Sequence, residues 1–503
     1  MVDYRQGTPR KQLFLYRQCI DDMVAEENIV RFIDAYIDSL NMYALEFQMN
    51  SNNTGAPAYQ PQLKLKIYVY GYLNGVRSSR RLMRECTRNI ELMWLTEGLA
   101  PDFKTIADFR RDNPKALKAV FKQFLTLCHK LELISFQTVA IDGSKLRGQN
   151  SGNEIYRREQ IERIEQEIQK KTEEYIKELD ELDERERKSG VSVNEAKVEE
   201  LTKRLQKQVN RKEKVGIIKQ LFEDNPELKI YFATDEESRL QNDKGKIRVG
   251  YNVQTAVDEK HKLIVVAEVT NEQNDKKQLT PMIKQIEQQK EELSIEEKTV
   301  AIADAGYFTE QEIMKNKDNE DCRPIVSPGA EGEKASVSKS GKGKRVPSAE
   351  YESDKFLYYE QRDLYTCPQN QELTRITNTP AIDAHGRGTY KYRCKAESCA
   401  KCGARGLCTN SESGRMLRVS ANQAEMLTYL ESLEEEENKK LIRRRKEIVE
   451  HPFGTMKRSL GYTYFLVKGL VNVTAEFSLM CFAYNLKRAV NILGMRRLME
   501  VIE

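Results

Sequence analysis

Through most of the first 135 positions, apolar residues recur three and four apart. "IVRFIDAYIDSL" and "ALKAVFKQFLTLCHKLELI" both carry that spacing, which predicts amphipathic helices. The second follows "DNP", with Pro114 placed for the first helical position, where its missing N–H costs nothing. Between them, "PQLKLKIYVYGYLNGVRSSRRLMRECTRNIELMWL" reads as two helices broken near Gly71 to Ser79. From 154 to 222 the pattern becomes a narrow apolar stripe in a highly charged background. Ile161, Ile164, Ile168, Tyr175, Leu179 and Leu182 share one face. "SGVSVN" interrupts the stripe, and Val198, Leu201, Leu205 and Val209 resume it. Two such helices joined by a short turn predict an antiparallel helical hairpin.

Elsewhere the period changes. "TVAID" is an apolar run at 138–142, and "KIRVGYNVQTAV" and "KLIVVAEVT" are consecutive strand candidates joined by "DEKH". A helix is predicted over about 275–292, with Asp275 as its N-cap. "KTVAIADAGYF" is a further apolar strand, followed by a short helix, "EQEIMKN", and a last short strand, "RPIVSP". Residues 328–350 are rich in Gly, Ser and Lys and read as a loop. A cysteine-rich stretch at 351–410 and a long helical region complete the chain. Three early antiparallel strands followed by strand–helix units predict an α/β fold with one mixed sheet flanked by helices.

Composition narrows the function classes less than the pattern does. The 503 residues suffice for several domains. Charged residues make up 32%, yet the net charge is only +4, so bulk charge does not announce nucleic acid and its distribution matters instead. No apolar run reaches the length of a membrane span. The first residues, "MVDYRQGTPRKQ", lack the apolar core of a secretion signal, so a cytoplasmic location is expected. Ten cysteines in such a chain are expected to be reduced thiols or metal ligands.

Asp142 in "AIDGS" and Asp304 in "IADAG" each end an apolar strand and precede a turn of small residues. Alone, each reads as a turn or cap. If the strands are neighbours, the carboxylates project side by side past the strand ends. Close carboxylates either hold a proton or recruit a cation. Mg²⁺ suits them, because it takes oxygen ligands and uses phosphate as another. Two such ions support in-line displacement at a phosphodiester. A third carboxylate near a basic surface completes the requirement, and "RRRKEIVEHPFGTMKR" offers Glu450. Asp235, Asp258 and Asp275 compete; Asp258 reads as a turn residue, and Asp235 lacks the strand-end context.

In order and motifs, "SSRRLMREC", "MWLTEGLAPDFKTIADFRRDN", "DGSK", "GYNVQTAVD", "IADAGYF" and "VEHPFGTMKR" resemble bacterial insertion-sequence transposases of the DDE type. The resemblance spans nearly the whole chain and implies an RNase H-like core. It implies a helical N-terminal DNA-binding domain at 1–135 and a core split over 136–153, 223–327 and 420–503. A helical-hairpin insertion at 154–222 and a Cys-rich insertion at 328–419 interrupt that core. It further implies Asp142, Asp304 and Glu450 as the triad binding Mg²⁺ or Mn²⁺. A subgroup signature runs Tyr-x2-Arg-x3-Glu-x6-Lys. Glu450 and Lys457 keep its final spacing, while Arg443 and Lys446 replace the tyrosine and arginine; Arg445 fits the first half only in a shifted register. Lys457 is expected to contact phosphate. The implied activity is cleavage of transposon ends and their joining to target DNA, in a homodimer on double-stranded DNA near the nucleoid. A metal-dependent nuclease without strand transfer and a non-catalytic DNA-binding derivative are the alternatives.

From Lys64 to Arg88 there are seven basic residues and one acid, Glu85. Arg77, Arg80, Arg81, Arg84 and Arg88 follow helical spacing and form the expected DNA-recognition face, with "PDFKTIADFRRDN" completing a helix-turn-helix-like unit. The alternative is a solvated basic face. Cys367, Cys394, Cys399, Cys402 and Cys408 supply four candidate ligands for structural Zn²⁺, with the CxxC pair Cys399 and Cys402 among them and His385 less suited. The alternative there is a group of free thiols.

Overall fold

The structure, a computed structural model, describes residues 19–49, 57–189, 195–243, 245–328, 347–382 and 388–502. The first 18 positions, most of the Gly/Ser/Lys-rich loop, most of the "SGVSVN" turn and His385 lie outside them.

Six helices lead the chain: α1 (Ile29–Ser39), α2 (Pro61–Leu73), α3 (Ser79–Glu85), α4 (Ile90–Leu95), α5 (Phe103–Asp112) and α6 (Pro114–Lys130). Local chemistry sets their starts. The Asn28 side chain accepts from Val30 N at 3.0 Å, Asp102 accepts from Lys104 N at 2.7 Å, and Pro114 opens α6. The region expected as two helices around Gly71–Ser79 contains three, because Asn89 caps α4 separately.

Strand β1 (Thr138–Arg147) follows, then the short pair β2 (Ile155–Arg157) and β3 (Ile230–Phe232), which brackets the long helices α7 (Ile161–Ser189) and α8 (Glu195–Asp224). Helix α8 runs well past the stripe ending at Val209, through Val215, Ile218 and Phe222, which join Ile161 and Ile168 in a small core. Next come β4 (Arg239–Asp243), β5 (Lys246–Asp258), β6 (Ile264–Thr270), α9 (Leu279–Glu292), β7 (Thr299–Ala303), α10 (Glu310–Asn316) and β8 (Cys322–Val326).

The sheet is mixed. Strand β1 lies between β5, antiparallel, and β7, parallel; β8 extends the parallel side. The far edge of β5 takes β4 along its first half and β6 along its second. Val139, Ala140 and Ile141 are fully buried, since helices cover both faces at the centre. One apolar cluster runs from the N-terminal helices through the sheet to the last helices, so no break in the core marks residue 135.

A second sheet contains β9 (Leu357–Tyr359), β10 (Leu364–Thr366), β11 (Glu372–Arg375), β12 (Ala381–Ile382), β13 (Gly388–Cys394) and β14 (Met416–Ser420). Two short helices, α11 (Ala396–Ala400) and α12 (Arg405–Cys408), separate β13 from β14. This module has its own small core, in which cysteines mix with Tyr351, Tyr392 and Leu417. Helices α13 (Gln423–Leu433), α14 (Glu436–Gly454) and α15 (Leu470–Met499) return to the main body. Asn485 on α15 pins β6: its Oδ1 accepts from Ile264 N at 2.9 Å and its Nδ2 donates to Ile264 O at 2.8 Å. No helix among the described residues is long and apolar enough to cross a membrane.

Candidate active site

The register of the parallel pair decides the geometry. Ala140 stands opposite Ile302, and Asp142 and Asp304 each follow two residues later. Their side chains therefore leave the same face at neighbouring positions; Asp304 lies just past the end of β7, but Asp142 is not the strand-end residue the sequence suggested, because β1 continues to Arg147 along its antiparallel partner β5. Asp304 also caps a short turn, its Oδ1 accepting from Gly306 N at 2.9 Å. Burial, opposed by Arg445 and reinforced by Asp304 and Asp275, pushes the Asp142 carboxyl up to about 6.

Asp275 is the residue that sequence reasoning misplaced. Helix α9 begins at Leu279 with Gln278 at its cap, so Asp275 is not the N-cap. Its Oδ1 instead accepts from Asn252 Nδ2 and Gln254 Nε2, both at 2.7 Å, and from Lys145 Nζ at 3.4 Å. Tyr307 donates to Gln254 Oε1 from the other side. Asn252, Gln254 and Tyr307 are all at most 1% exposed. Asp275, Asp142 and Asp304 all act electrostatically on the buried Tyr307 hydroxyl and on Lys145, while strand alternation puts Asp275, which lies against Gly143, on the face of β1 opposite the Asp142 side chain. The Tyr307 hydroxyl is held protonated, first by burial and then by that negative field. Burial lowers the Lys145 ammonium, and the three aspartates work against that.

Gly143 makes the approach possible. A Cβ there would stand 2.7 Å from Gln254 Nε2 and 2.8 Å from Asp275 Oδ1, closer than real Cβ contacts come. The glycine after Asp142 therefore leaves the space that Asp275 fills. A periodicity argument could not reveal this, because it depends on Asp275, which is distant in sequence.

Glu450 is not brought to the aspartates. Helix α14 runs straight through Pro452 and continues into a wider π turn at Thr455–Ser459, so neither a proline break nor a new helix start occurs. Ile448, Val449 and Pro452 take the buried face. That rotation leaves the Glu450 side chain 66% exposed and 3.7 Å from Lys446 Nζ. Arg445 faces the aspartates instead, with Nη1 3.7 Å from Asp142 Oδ1. Lys457 reaches the site's rim, donating to Ser144 Oγ at 2.5 Å and to Lys145 O at 3.5 Å. A cavity of about 100 Å³ opens beside it, lined by Lys145, Arg147, Arg248 and Lys457 among others.

Among the described residues no group of three or more His, Cys, Asp or Glu side chains is placed so that it could hold a metal ion. The oxygen-only donors of Asp142 and Asp304 and their mutual repulsion are of the kind that suits a hard divalent cation.

The other candidates divide. Arg77 is not on the expected surface face: it is 6% exposed, paired with the buried Glu476 at 3.4 Å, and donates to Tyr464 O at 2.7 Å. A fully buried carboxylate needs cationic partners, and Arg77 and Arg110 supply them. Arg80, Arg81, Arg84 and Arg88 are exposed; Arg80 lies over the Phe103 ring at 4.8 Å, and Arg88 pairs with Glu85. Cys367, Cys394, Cys399, Cys402 and Cys408 line one cavity of about 20 Å³. Backbone amides donate to two of the sulfurs, Gln371 N to Cys367 Sγ at 3.3 Å and Arg415 N to Cys399 Sγ at 3.4 Å. Asp235 and Asp258 are structural. Asp235 accepts from Tyr251 OH at 2.7 Å, and Asp258 from Phe136 N at 2.7 Å.

Comparison with known families decides the identity. A transposase DDE domain matches residues 366–490, and a transposase domain (DUF772) matches residues 18–112. Both matches support an insertion-sequence DDE transposase. The DDE match includes Glu450 and the cysteine module, while Asp142 and Asp304 lie between the two matched stretches of the transposase. No curated protein matches it. One solved structure, the piggyBac transposase synaptic complex with hairpin DNA, is 8% identical over 94% of this chain and 78% of that one, with a TM-score of 0.30. At that score the likeness carries no argument.

Proposed function

We propose that this transposase cleaves the ends of its element and joins them to target DNA in one RNase H-like site. The observation that carries the reading is the register-matched pair Asp142 and Asp304 on adjacent parallel strands. Their carboxylates would hold Mg²⁺ or Mn²⁺, with Glu450 expected to complete the set after α14 turns its exposed face inward. A bound divalent cation lowers the pKa of a water or hydroxyl and offsets charge on the leaving oxygen. The chain's own residues do the positioning. Lys457, Lys145, Arg147 and Arg248 line one groove and would hold the phosphate backbone. Arg445 offsets the charge of Asp142 until DNA and cation take over that role. Arg80, Arg81, Arg84 and Arg88 would bind the double-stranded ends through phosphate. Two ends processed together require two copies of the chain on DNA.

The cysteine module would carry a structural Zn²⁺, the cavity offering five sulfurs for four ligand positions. Its location between β8 and α13 means that its folding fixes where α14 enters the site.

The test is an assay of purified protein with Mg²⁺ or Mn²⁺ on DNA bearing the element's ends. Nicked and joined products, both lost in Asp142→Ala, are expected. Nicks without joined products would favour a nuclease. Bound but uncut DNA, identical for wild type and variant, would leave a DNA-binding protein only.

A further inference from the structure

We infer that the outward face of α8 is a phosphate-binding surface that carries duplex DNA onward from the cleavage groove. The inference rests on the DNA-dependent reading above and adds a contact surface to it. Charge in the helical hairpin is sorted between its two helices. Helix α7 holds eleven acids and seven bases, whereas from Lys203 to Lys219 α8 holds seven bases and one acid, Glu213. Part of that excess is used within the hairpin: Lys219 pairs with Glu165 at 2.8 Å, and Lys212 donates to Gln169 Oε1 at 3.3 Å. Lys207 and Arg211 are exposed and have no carboxylate partner among the described residues. Lys203 and Arg204, also exposed, pair with Glu199 and Glu200 one turn earlier on the same helix. Exposed pairs of this kind are worth little, so phosphate can displace the carboxylates. At 3.6 residues per turn the four cations lie within an arc of about 100° and about 12 Å of helix. Duplex DNA presents roughly seven phosphates over that length. The neighbouring Gln206 and Asn210 are bonded to each other at 2.9 Å, so the face offers charge for backbone and few free amides for base edges. Position joins this face to the groove. Arg147 and Arg248, both exposed, line the cavity beside Lys457 and also a larger one of about 460 Å³. Gly152 and Ile155, where the chain enters the hairpin, form part of the larger cavity's wall. Between them Glu154 pairs with Lys214, nearly one turn from Arg211 along α8. Asn150, in the same wall, anchors the hairpin's return: its Oδ1 accepts from Thr234 N at 3.0 Å. Basic side chains thus follow one another from Lys457 through Arg147 and Arg248 to Arg211 and Lys207, a continuity that a merely solvated face does not need.

Binding of the full chain to a fluorescent duplex carrying one element end, read by anisotropy over about 50–200 mM salt, tests this. Two triple variants that lose the same charge are compared with wild type. Lys203→Gln with Lys207→Gln and Arg211→Gln should lower the slope of log affinity against log salt by about 3, one per lost phosphate contact. Lys170→Gln with Lys171→Gln and Lys177→Gln, on the acid-rich α7, should leave the slope unchanged. Gln keeps the helix-forming tendency of Lys and Arg, and circular dichroism checks that α8 stays formed. Lys207→Gln alone, expected to remove about 1, serves if the triple variant loses helix. Equal falls in the α7 and α8 variants would mark an effect of bulk charge and overturn the inference, as would no fall in either. Wild type without salt-dependent binding would overturn the DNA-dependent reading itself. Hydroxyl-radical footprinting gives the position. The α8 variant should expose a backbone patch that Arg81→Ala with Arg84→Ala leaves protected, and a footprint unchanged in the α8 variant would also overturn the inference.

Discussion

Asp142 and Asp304 sit at equivalent positions on neighbouring parallel strands, each two residues beyond the pair Ala140 and Ile302. Function and stability should therefore respond in opposite directions when either loses its charge. Asp142→Asn and Asp304→Asn should each lower cleavage roughly 10³-fold, several kcal/mol of transition-state stabilisation. Without divalent cation, the same variants should melt no lower than wild type, because each removes a like-charge repulsion. A cleavage assay paired with thermal melts at pH 7.5, in chelator, reads both. A variant that loses activity together with a large fall in melting temperature would point to a packing role instead.

Asp142 also sets a pH dependence. Its carboxyl is raised from 3.8 to about 6 by burial first, then by Asp304 and Asp275 against the pull of Arg445. A raised acid favours folding fully below its unfolded pKa and loses that contribution as pH climbs through the folded value. Between about pH 4 and pH 6, then, this group makes the chelator-treated protein less stable as pH rises. Divalent-cation affinity should move the other way, increasing across that window as the ligand deprotonates. Melts and Mn²⁺ titrations at half-unit intervals, with Asp142→Asn flattening both profiles, check the sign.

What could be read in advance follows how local each determinant is. The alignment of Asp142 with Asp304 was legible because an apolar run meeting an acid and a small residue is a local signal that parallel strands bring into register, although β1 continues past Asp142 to Arg147. Asp275 was not, because its place depends on Asn252 and Gln254 of β5 and on the missing Cβ of Gly143. Arg77 shares helical spacing with Arg80, Arg81 and Arg84, yet Glu476, 399 positions away, draws it into the core. Spacing gives a face, and distant packing decides which way it turns. The same holds for α14, where Ile448 and Val449 take the inside and leave Glu450 outside.

That division of the arginines is measurable. Glu476 is fully buried; its Oε1 faces Arg77, Arg110 and Tyr72, and its Oε2 accepts from Leu466 N at 2.8 Å. Glu476→Ala strands two buried guanidinium groups and should cost about 3–5 kcal/mol in urea unfolding. Arg77→Ala should likewise lower stability. Arg81→Ala with Arg84→Ala should leave unfolding unchanged while weakening DNA binding. It should also reduce the slope of log affinity against log salt by about 2. If Arg77→Ala weakened DNA binding at unchanged stability, the burial of Arg77 would have been misread.

The cysteine module supplies the last test. Five sulfurs around about 20 Å³ leave room for roughly one water-sized particle. Burial first, then Cys399 and the neighbouring Cys367 and Cys402, push the Cys394 thiol up to about 12. Such crowding disfavours several thiolates together unless a cation holds them, and Zn²⁺ bound by four would do so. Purified protein should contain zinc in equimolar amount. Removal by a strong chelator should unfold the module while the central sheet, with its separate core, keeps its amide-exchange protection. Cys399→Ser with Cys402→Ser should abolish the zinc, whereas exposed Cys19→Ser should not. Because α14 follows the module, zinc loss should also impair cleavage while sparing Mn²⁺ binding at Asp142 and Asp304. Protein without zinc, carrying five freely titrating thiols in the module and an unchanged melt in chelator, would leave only a cluster of small buried side chains.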